Sequence, residues 1–416
     1  MEITKAPTPD MDGDAIGGVI NLKTPVARRP ELGVRIESSL GYNDISGAAN
    51  GIGKLRLDKR FFTDNRNPMG KLGLILSGSY YSTDNAEDRI DAVWQGIPRP
   101  VASLGNESTI VMDNYQYRHA KNVRERIGAT ATVDYRFNEN HELVFNYMYN
   151  RREDNDLRNR LRFDMNNGQF HALDSIENGR VRRDINIWDE LKTNHSFGLQ
   201  GYHTLDVWKV DWSVNYVLSD RLFTSDRGDF ATNTSSGGTT IVADNPGGMY
   251  ADVPRFRPAS FEQSMYDPFF YREFRRYEED YETTEATNLV GRIDITRFLN
   301  IFGNYPAHVK FGGKVRSQTN SKYRKNQVLG FNDPNNLINR NESFLRVLSQ
   351  TEPISFLQSD YRFGPLIGRS EFQGYIDDIA LLLTETDDAW DSRRISLNDT
   401  YDAAEDIYSG YFLGRA

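Results

Sequence analysis

The chain contains no cysteine, which excludes disulfides, thiolate nucleophiles and cysteine metal sites. It also lacks any apolar run near the roughly 20 residues that a helical membrane span requires, and its mean hydropathy is −0.64. A helical membrane protein is thereby excluded. A membrane β-barrel is not, because each of its strands needs only about 9–11 residues, half of them facing lipid. The six histidines form no His-x-x-x-His or Glu-x-x-His set, and His195 and His203 lie across one strand and turn. Histidine metal chemistry has no support here. No Gly-x-Ser-x-Gly elbow or phosphate loop is present. Acidic runs such as Glu278-Glu279-Asp280 and Asp377-Asp378 have the composition of solvated loop surface. The expectation is a protein that is not an enzyme and uses no cofactor or metal. A net charge of −9 argues against nucleic acid as a partner.

Aromatic residues are plentiful, with 22 Tyr, 23 Phe and 5 Trp, as suits rings placed where apolar meets wet. Alternation is the stronger signal. Ile127, Ala129, Ala131, Val133, Tyr135 and Phe137 take every second position, with Gly128, Thr130, Thr132, Asp134 and Arg136 between them. Only a β-strand with one apolar and one polar face has a period of two. The pattern returns at Leu143–Tyr149, at Trp208–Leu218, and at Val309, Phe311, Gly313 and Val315. Earlier strands are read from Leu32, Leu55 and Leu72, others at Phe197 and Leu289, and a last one at Ile407–Leu413. Roughly ten strands in meander order result.

Connection lengths alternate as well. Short turns are expected at Asn138–Asn140, Leu205–Val207 and Phe298–Pro306, and long loops at Thr83–Arg124, Arg151–Leu191, Asp220–Tyr281 and Ser317–Asp402. Structureless loops of that length are improbable in a compact soluble domain. Short turns on one side and long loops on the other are the rule in transmembrane barrels. Charges such as Lys54, Arg56, Asp58 and Arg60, or Lys310, Lys314 and Arg316, lie opposite the apolar residues. They must face a wet lumen or a polar plug, because charge against lipid costs several kcal/mol near the midplane.

Residues 3–24 read ITKAPTPDMDGDAIGGVINLKT. The stretch Asp14-Ala15-Ile16-Gly17-Gly18-Val19-Ile20-Asn21-Leu22, closed by Thr24, resembles the segment that ends the plug domain of TonB-dependent outer-membrane receptors. The preceding Thr8-Pro9-Asp10-Met11 resembles a subgroup of those receptors, and Tyr408-Ser409-Gly410-Tyr411-Phe412 is similar to their aromatic strands. The resemblance implies a transmembrane antiparallel up-and-down β-barrel of about 22 strands, of which this chain carries roughly ten. It implies a plug end over residues 1–27 and the N-terminal part of the barrel over 28–416. It also implies energised uptake of a scarce solute across the bacterial outer membrane, with outer-membrane lipid, TonB and a ferric siderophore or oligosaccharide as partners. Asp14, Gly17, Gly18 and Asn21 mark the plug–barrel junction. The glycines allow close backbone approach there.

Residues 1–25 show neither the basic nor the apolar region of a signal peptide, so the chain is expected to be a fragment, unable to transport by itself. Two rival readings stand beside this one, a passive porin or adhesin barrel and a secreted carbohydrate-binding β-protein. An EF-hand at Asp10-x-Asp12-Gly13-Asp14 fails, because its sixth and twelfth positions are Ala15 and Asn21 rather than Gly and Glu. Arg227-Gly228-Asp229 matches an adhesion tripeptide by chance. The loop Pro254–Tyr281 interleaves arginines with aromatics, and Arg255, Arg257, Tyr266, Arg272 and Tyr277 are the candidate substrate contacts. Guanidinium groups clamp carboxylates and phosphates, and aromatic faces stack on sugars or flat ligands.

Overall fold

The computed structural model describes residues 2–4, 8–11, 19–21, 25–63, 70–232, 238–260, 265–301, 305–335, 337–338, 342–357, 361–386 and 389–415. Ten long strands follow one another along the chain. They are β1 (Gly33–Asn43), β2 (Ala48–Phe61), β3 (Leu72–Trp94), β4 (Met112–Asn138) and β5 (His141–Asp164), then β6 (Ser175–Leu205), β7 (Trp208–Ala231), β8 (Glu273–Ile301), β9 (Tyr305–Phe331) and β10 (Tyr401–Arg415). Each pairs antiparallel with its successor. The number of strands is the one the alternation predicts. The sheet does not close, since β1 and β10 each have one paired neighbour among the described residues. Strand Glu2–Thr4 pairs separately with Val19–Asn21. Asn21 lies in that strand, while Asp14, Gly17 and Gly18 fall outside the described residues.

The connections 62–71, 139–140, 206–207 and 302–304 all lie at one end of the sheet. Those at 44–47, 95–111, 165–174, 232–272 and 332–400 lie at the other. From 95–111 onward the connections segregate by length as the sequence reading expects, whereas 44–47 is short at the long-connection end and 62–71 is ten residues at the other. The loop boundaries also need correction. Arg151–Asp164 and Ser175–Leu191 are not a charged loop; they continue β5 and β6 in register. Likewise β7 runs on to Ala231 and β9 to Phe331. The ladder joins backbone groups, so pairing continues where side-chain alternation becomes irregular.

Residues directly opposite in a ladder share a face, and one row shows the consequence. Val34, Leu57, Leu76, Ala131, Tyr147, Phe197, Tyr216 and Leu289 align across β1 to β8. The next row runs Leu74, Val133, Phe145, Leu199, Val214, Gly291, Val315, Tyr408. These side chains are bare: Phe145 is 40% exposed, Val214 44% and Val315 46%. In β5 this apolar belt spans His141–Tyr149, and Arg151 ends it.

Toward the long-connection end the same face is covered instead. Tyr115, Tyr117, Leu161, Phe163, Ile185 and Phe230, which share the parity of the belt, are almost fully buried. They pack with Phe256, Phe344, Phe356, Phe363 and Phe372 from the long connections. Helix α1 (Arg369–Ile379) supplies Phe372 and Tyr375 to this core. Arg183, buried there, donates to the Pro365 carbonyl and lies 4.6 Å from the Phe363 ring centroid. A Cβ on Gly228 would collide with the Phe372 ring. Gly228→Ala is therefore expected to loosen the 332–400 connection at a cost of about 1–3 kcal/mol, read as faster proteolysis within 332–400 and a lower melting temperature.

Beyond the end of β10, the upper edge of β9 is covered by other segments. Strand Leu383–Glu385 pairs with it, and helix α2 (Ala389–Asn398) places the Ser396 hydroxyl 2.8 Å from the Asn326 amide. Covering an edge in this way blocks its pairing with another chain.

Candidate functional site

The face opposite the belt is mostly polar, with Ile75 and Val144 buried on it, and ion pairs organise it. At the short-connection end, Arg60 is fully buried and holds Asp134 at 2.7 Å. The same guanidinium donates to the Ala27 carbonyl at 2.7 Å and to the Gly70 carbonyl at 3.3 Å. It thus ties the approach to β1 onto the sheet.

Further along the chain this face holds the N-terminal segment. Lys310 donates to the Asp10 carboxylate at 2.5 Å, and Arg292 donates to the Asp10 carbonyl at 2.7 Å. Arg292 is itself held by Asp294 at 2.8 Å, and Asp294 accepts from Tyr411 at 2.5 Å. Partial burial opposes the charge on Asp10, but the hydrogen bonds from Lys310 and Thr8 outweigh it and hold the carboxyl below its ordinary value. A depressed carboxyl pKa stabilises the contact above about pH 3.9, and that stabilisation is lost as pH falls through the bound value. A fluorophore on Met11→Cys, clean because the chain has no other cysteine, is expected to gain mobility below about pH 4. With Lys310→Gln it should be mobile at pH 7 already, and unchanged anisotropy would rule the contact out.

Above the belt, charges bridge neighbouring strands. Arg124 and Arg152 both pair with Asp154. Glu190 accepts from Arg221 at 2.6 Å and pairs with Lys192 at 2.9 Å. Arg221 pairs in turn with Glu282, which Lys322 approaches at 3.2 Å. This ladder crosses six strands, β4 to β9.

Higher still, guanidinium groups outnumber carboxylates. Asp184, fully buried, is shared by Arg160 at 2.5 Å and Arg162 at 2.9 Å. Asp229 is shared by Arg162, Arg182 and Arg275, and Asp91 by Arg89 and Arg118. Glu278 is shared by Arg227 and Arg276. Burial opposes the charge on Asp184, yet Arg162 and Arg160 hold its carboxyl below the ordinary range. Arg158 stands apart, with no ion pair among the described residues. Its plane stacks on Trp188, 4.4 Å from the ring centroid, and its buried Nε has no hydrogen-bond partner. Burial first, and then the neighbouring Arg160, lowers its pKa to about 10. Asp156, directly opposite Trp188, accepts from Asn122 at 2.6 Å instead.

The candidates from Pro254–Tyr281 are dispersed, and that stretch is not all loop, since residues 273–281 belong to β8 with Tyr277 paired opposite Gly228. Arg255 lies 5.1 Å from the Tyr361 ring centroid, and the Tyr266 hydroxyl donates to the Arg362 carbonyl at 3.4 Å. These two therefore meet one short strand, Tyr361–Phe363. Arg257 pairs with Asp244 at 2.7 Å. Arg272 is exposed and donates to the Phe269 carbonyl at 2.9 Å. Tyr277 is buried and donates to Asp226, and burial with that hydrogen bond raises its phenol well above the ordinary value. Sequence alone hides the guanidinium set around Arg158, because residues 151–191 read as a charged loop. Its signal lies in Leu157, Leu161 and Phe163, spaced at even intervals with Arg158, Arg160 and Arg162 among them.

No family model matches the chain, and no curated protein matches it. Among solved structures, it is similar to BauA, the ferric preacinetobactin receptor of Acinetobacter baumannii, at 12% identity and a TM-score of 0.18. The match covers 78% of this chain and 51% of that receptor, so the chain spans about half the length of its solved neighbour.

Proposed function

We propose that the chain forms part of the wall of a TonB-dependent receptor in the bacterial outer membrane. Residues 1–27 are the end of its plug and residues 28–416 the N-terminal portion of its barrel. The observation that carries this reading is the bare apolar belt, backed by a polar face on which the N-terminal segment is held. Nine residues, His141–Tyr149, rise about 30 Å along a strand, or about 23 Å at a tilt of about 40°. That height suits the apolar band of about 25 Å on outer-membrane barrels. The long connections lie outside the cell in this reading, and the short turns face the periplasm. Such a wall performs no bond-making chemistry and requires no cofactor. It encloses a plug on which TonB acts, so that a bound scarce solute, a ferric siderophore or oligosaccharide, moves inward.

The test uses cells carrying the natural protein. The protein should fractionate with the outer membrane, and solute accumulation should stop when the inner-membrane proton gradient is collapsed. Accumulation insensitive to that collapse would favour a passive porin, and recovery in the soluble fraction would overturn the barrel. Among the loop candidates, exposed Arg272 gives the cleanest check. Arg272→Ala is expected to reduce uptake severalfold with no change in melting temperature; full uptake by that variant would remove it as a contact.

A further inference from the structure

On the polar face above the belt, Arg158 is half-buried and makes no ion pair among the described residues, and its buried Nε has no hydrogen-bond partner. Arg158 sits directly opposite Asn186, and Asn186 sits opposite Arg227 in the next strand. Arg160, two residues along β5, faces Arg118 in β4. Asp184, Asp91 and Glu278 each already serve two guanidinium groups, and Asp156 accepts from Asn122. A shielded N–H left without a partner is costly. In a chain of net charge −9, which has carboxylates to spare, the local excess of cations is the reverse of the average.

We infer that Arg158, stacked on Trp188 and flanked by Arg118, Arg160 and Arg227, anchors a binding site for a small polyanion carrying carboxylate or phosphate groups. Stacking fixes the guanidinium plane, so that its edge presents N–H donors in the geometry that carboxylate and phosphate accept as a pair. The neighbouring cations supply the field for a second and third negative group. Asn186 and Ser225, joined at 3.0 Å, add neutral polar groups beside it. The site names a substrate class for the uptake reading and in that respect rests on it. Binding itself does not depend on transport.

The experiment is calorimetric titration of the full chain in detergent with citrate, with pyrophosphate, and with maltotriose as a neutral probe. Citrate or pyrophosphate should bind, the tighter of the two identifying carboxylate or phosphate as the preferred group, and maltotriose should not bind at this site. Arg158→Gln is expected to weaken the polyanion about 10–100-fold, the range of a hydrogen-bonded charge pair. Arg158→Lys, which keeps charge but loses the planar fork, should weaken it less.

The decisive variant is Asn186→Asp. It places a carboxylate directly opposite Arg158, so it should raise the melting temperature while reducing polyanion affinity at least about 10-fold. Either of two results would overturn the site: no binding at about 10 mM of either anion, or affinity unchanged in both Arg158→Gln and Asn186→Asp. If binding fails while the protein still localises to the outer membrane and accumulates solute, the site falls and the uptake reading stands. If binding holds but the natural protein is soluble, the uptake reading falls and the site stands.

Discussion

Val214→Arg is expected to destabilise the folded chain in lipid by about 2–4 kcal/mol, the cost of a cation on the lipid face at the midplane. Val214 belongs to the middle row of the five that make up the belt in β5, aligned with Leu199 and, through it, Phe145. Val214 sits between Leu199 and Gly291 in the ladder and stands 44% exposed. Ser213, next in sequence, points to the other face. Ser213→Arg should therefore be tolerated to within about 0.5 kcal/mol, the range of ordinary surface substitutions. The folded fraction of each variant in bilayers, followed by heat-dependent electrophoretic migration or by urea titration, separates the two. Equal stability of the two variants would mean that the belt does not face lipid. In detergent-free buffer, a soluble sheet with one solvated face would show no such asymmetry.

Asp134→Ala should be about as damaging, by a different route. Asp134 is almost fully buried against Arg60, and both sides of the pair are shielded. Removing one partner of a buried ion pair leaves an uncompensated charge and costs about 3–5 kcal/mol. Replacing both residues together, by Arg60→Met and Asp134→Leu, should recover much of that loss, because the desolvation of both ions is then avoided. A double-mutant cycle on unfolding free energies measures the coupling. The pair also explains a glycine. A Cβ at Gly73 would overlap the Asp134 carboxylate, so Gly73→Ala is expected to displace the ion pair and reproduce part of the Asp134→Ala effect.

The sheet was legible in sequence wherever one face is bare and the other charged, as in Ile127–Phe137. There the two environments differ most, and a period of two is written into side-chain polarity. It was illegible above the belt, where Arg151–Asp164 reads as charge. Asn159, buried against the Ile367 amide and carbonyl, interrupts the apolar series with a polar residue that the long connection satisfies. The candidate site was less accessible still. Whether Arg160 meets Asp184 or Arg158 meets Asn186 depends on register between strands, and no single strand records its own register. Asp10 illustrates the same limit. Its Thr-Pro-Asp-Met setting was visible, but its partners Arg292 and Lys310 lie almost 300 residues away. The aromatics of Pro254–Tyr281 were visible as a group, though not the surface on which they pack. Phe256 and Phe274 lie within the core that covers the upper sheet.

An even number of strands has a topological result. The meander enters β1 at Gly33 and leaves β10 at Arg415, and nine successive reversals of direction bring both points to the short-turn end. The two free edges therefore run in opposite directions, so they can meet each other antiparallel or admit any even number of additional strands without breaking the alternation. Whatever polypeptide is joined before residue 33 and after residue 415 starts from the same side of the sheet. Reporter domains fused at the two positions would then occupy one compartment, and tags on the 165–174 and 332–400 connections would occupy the other.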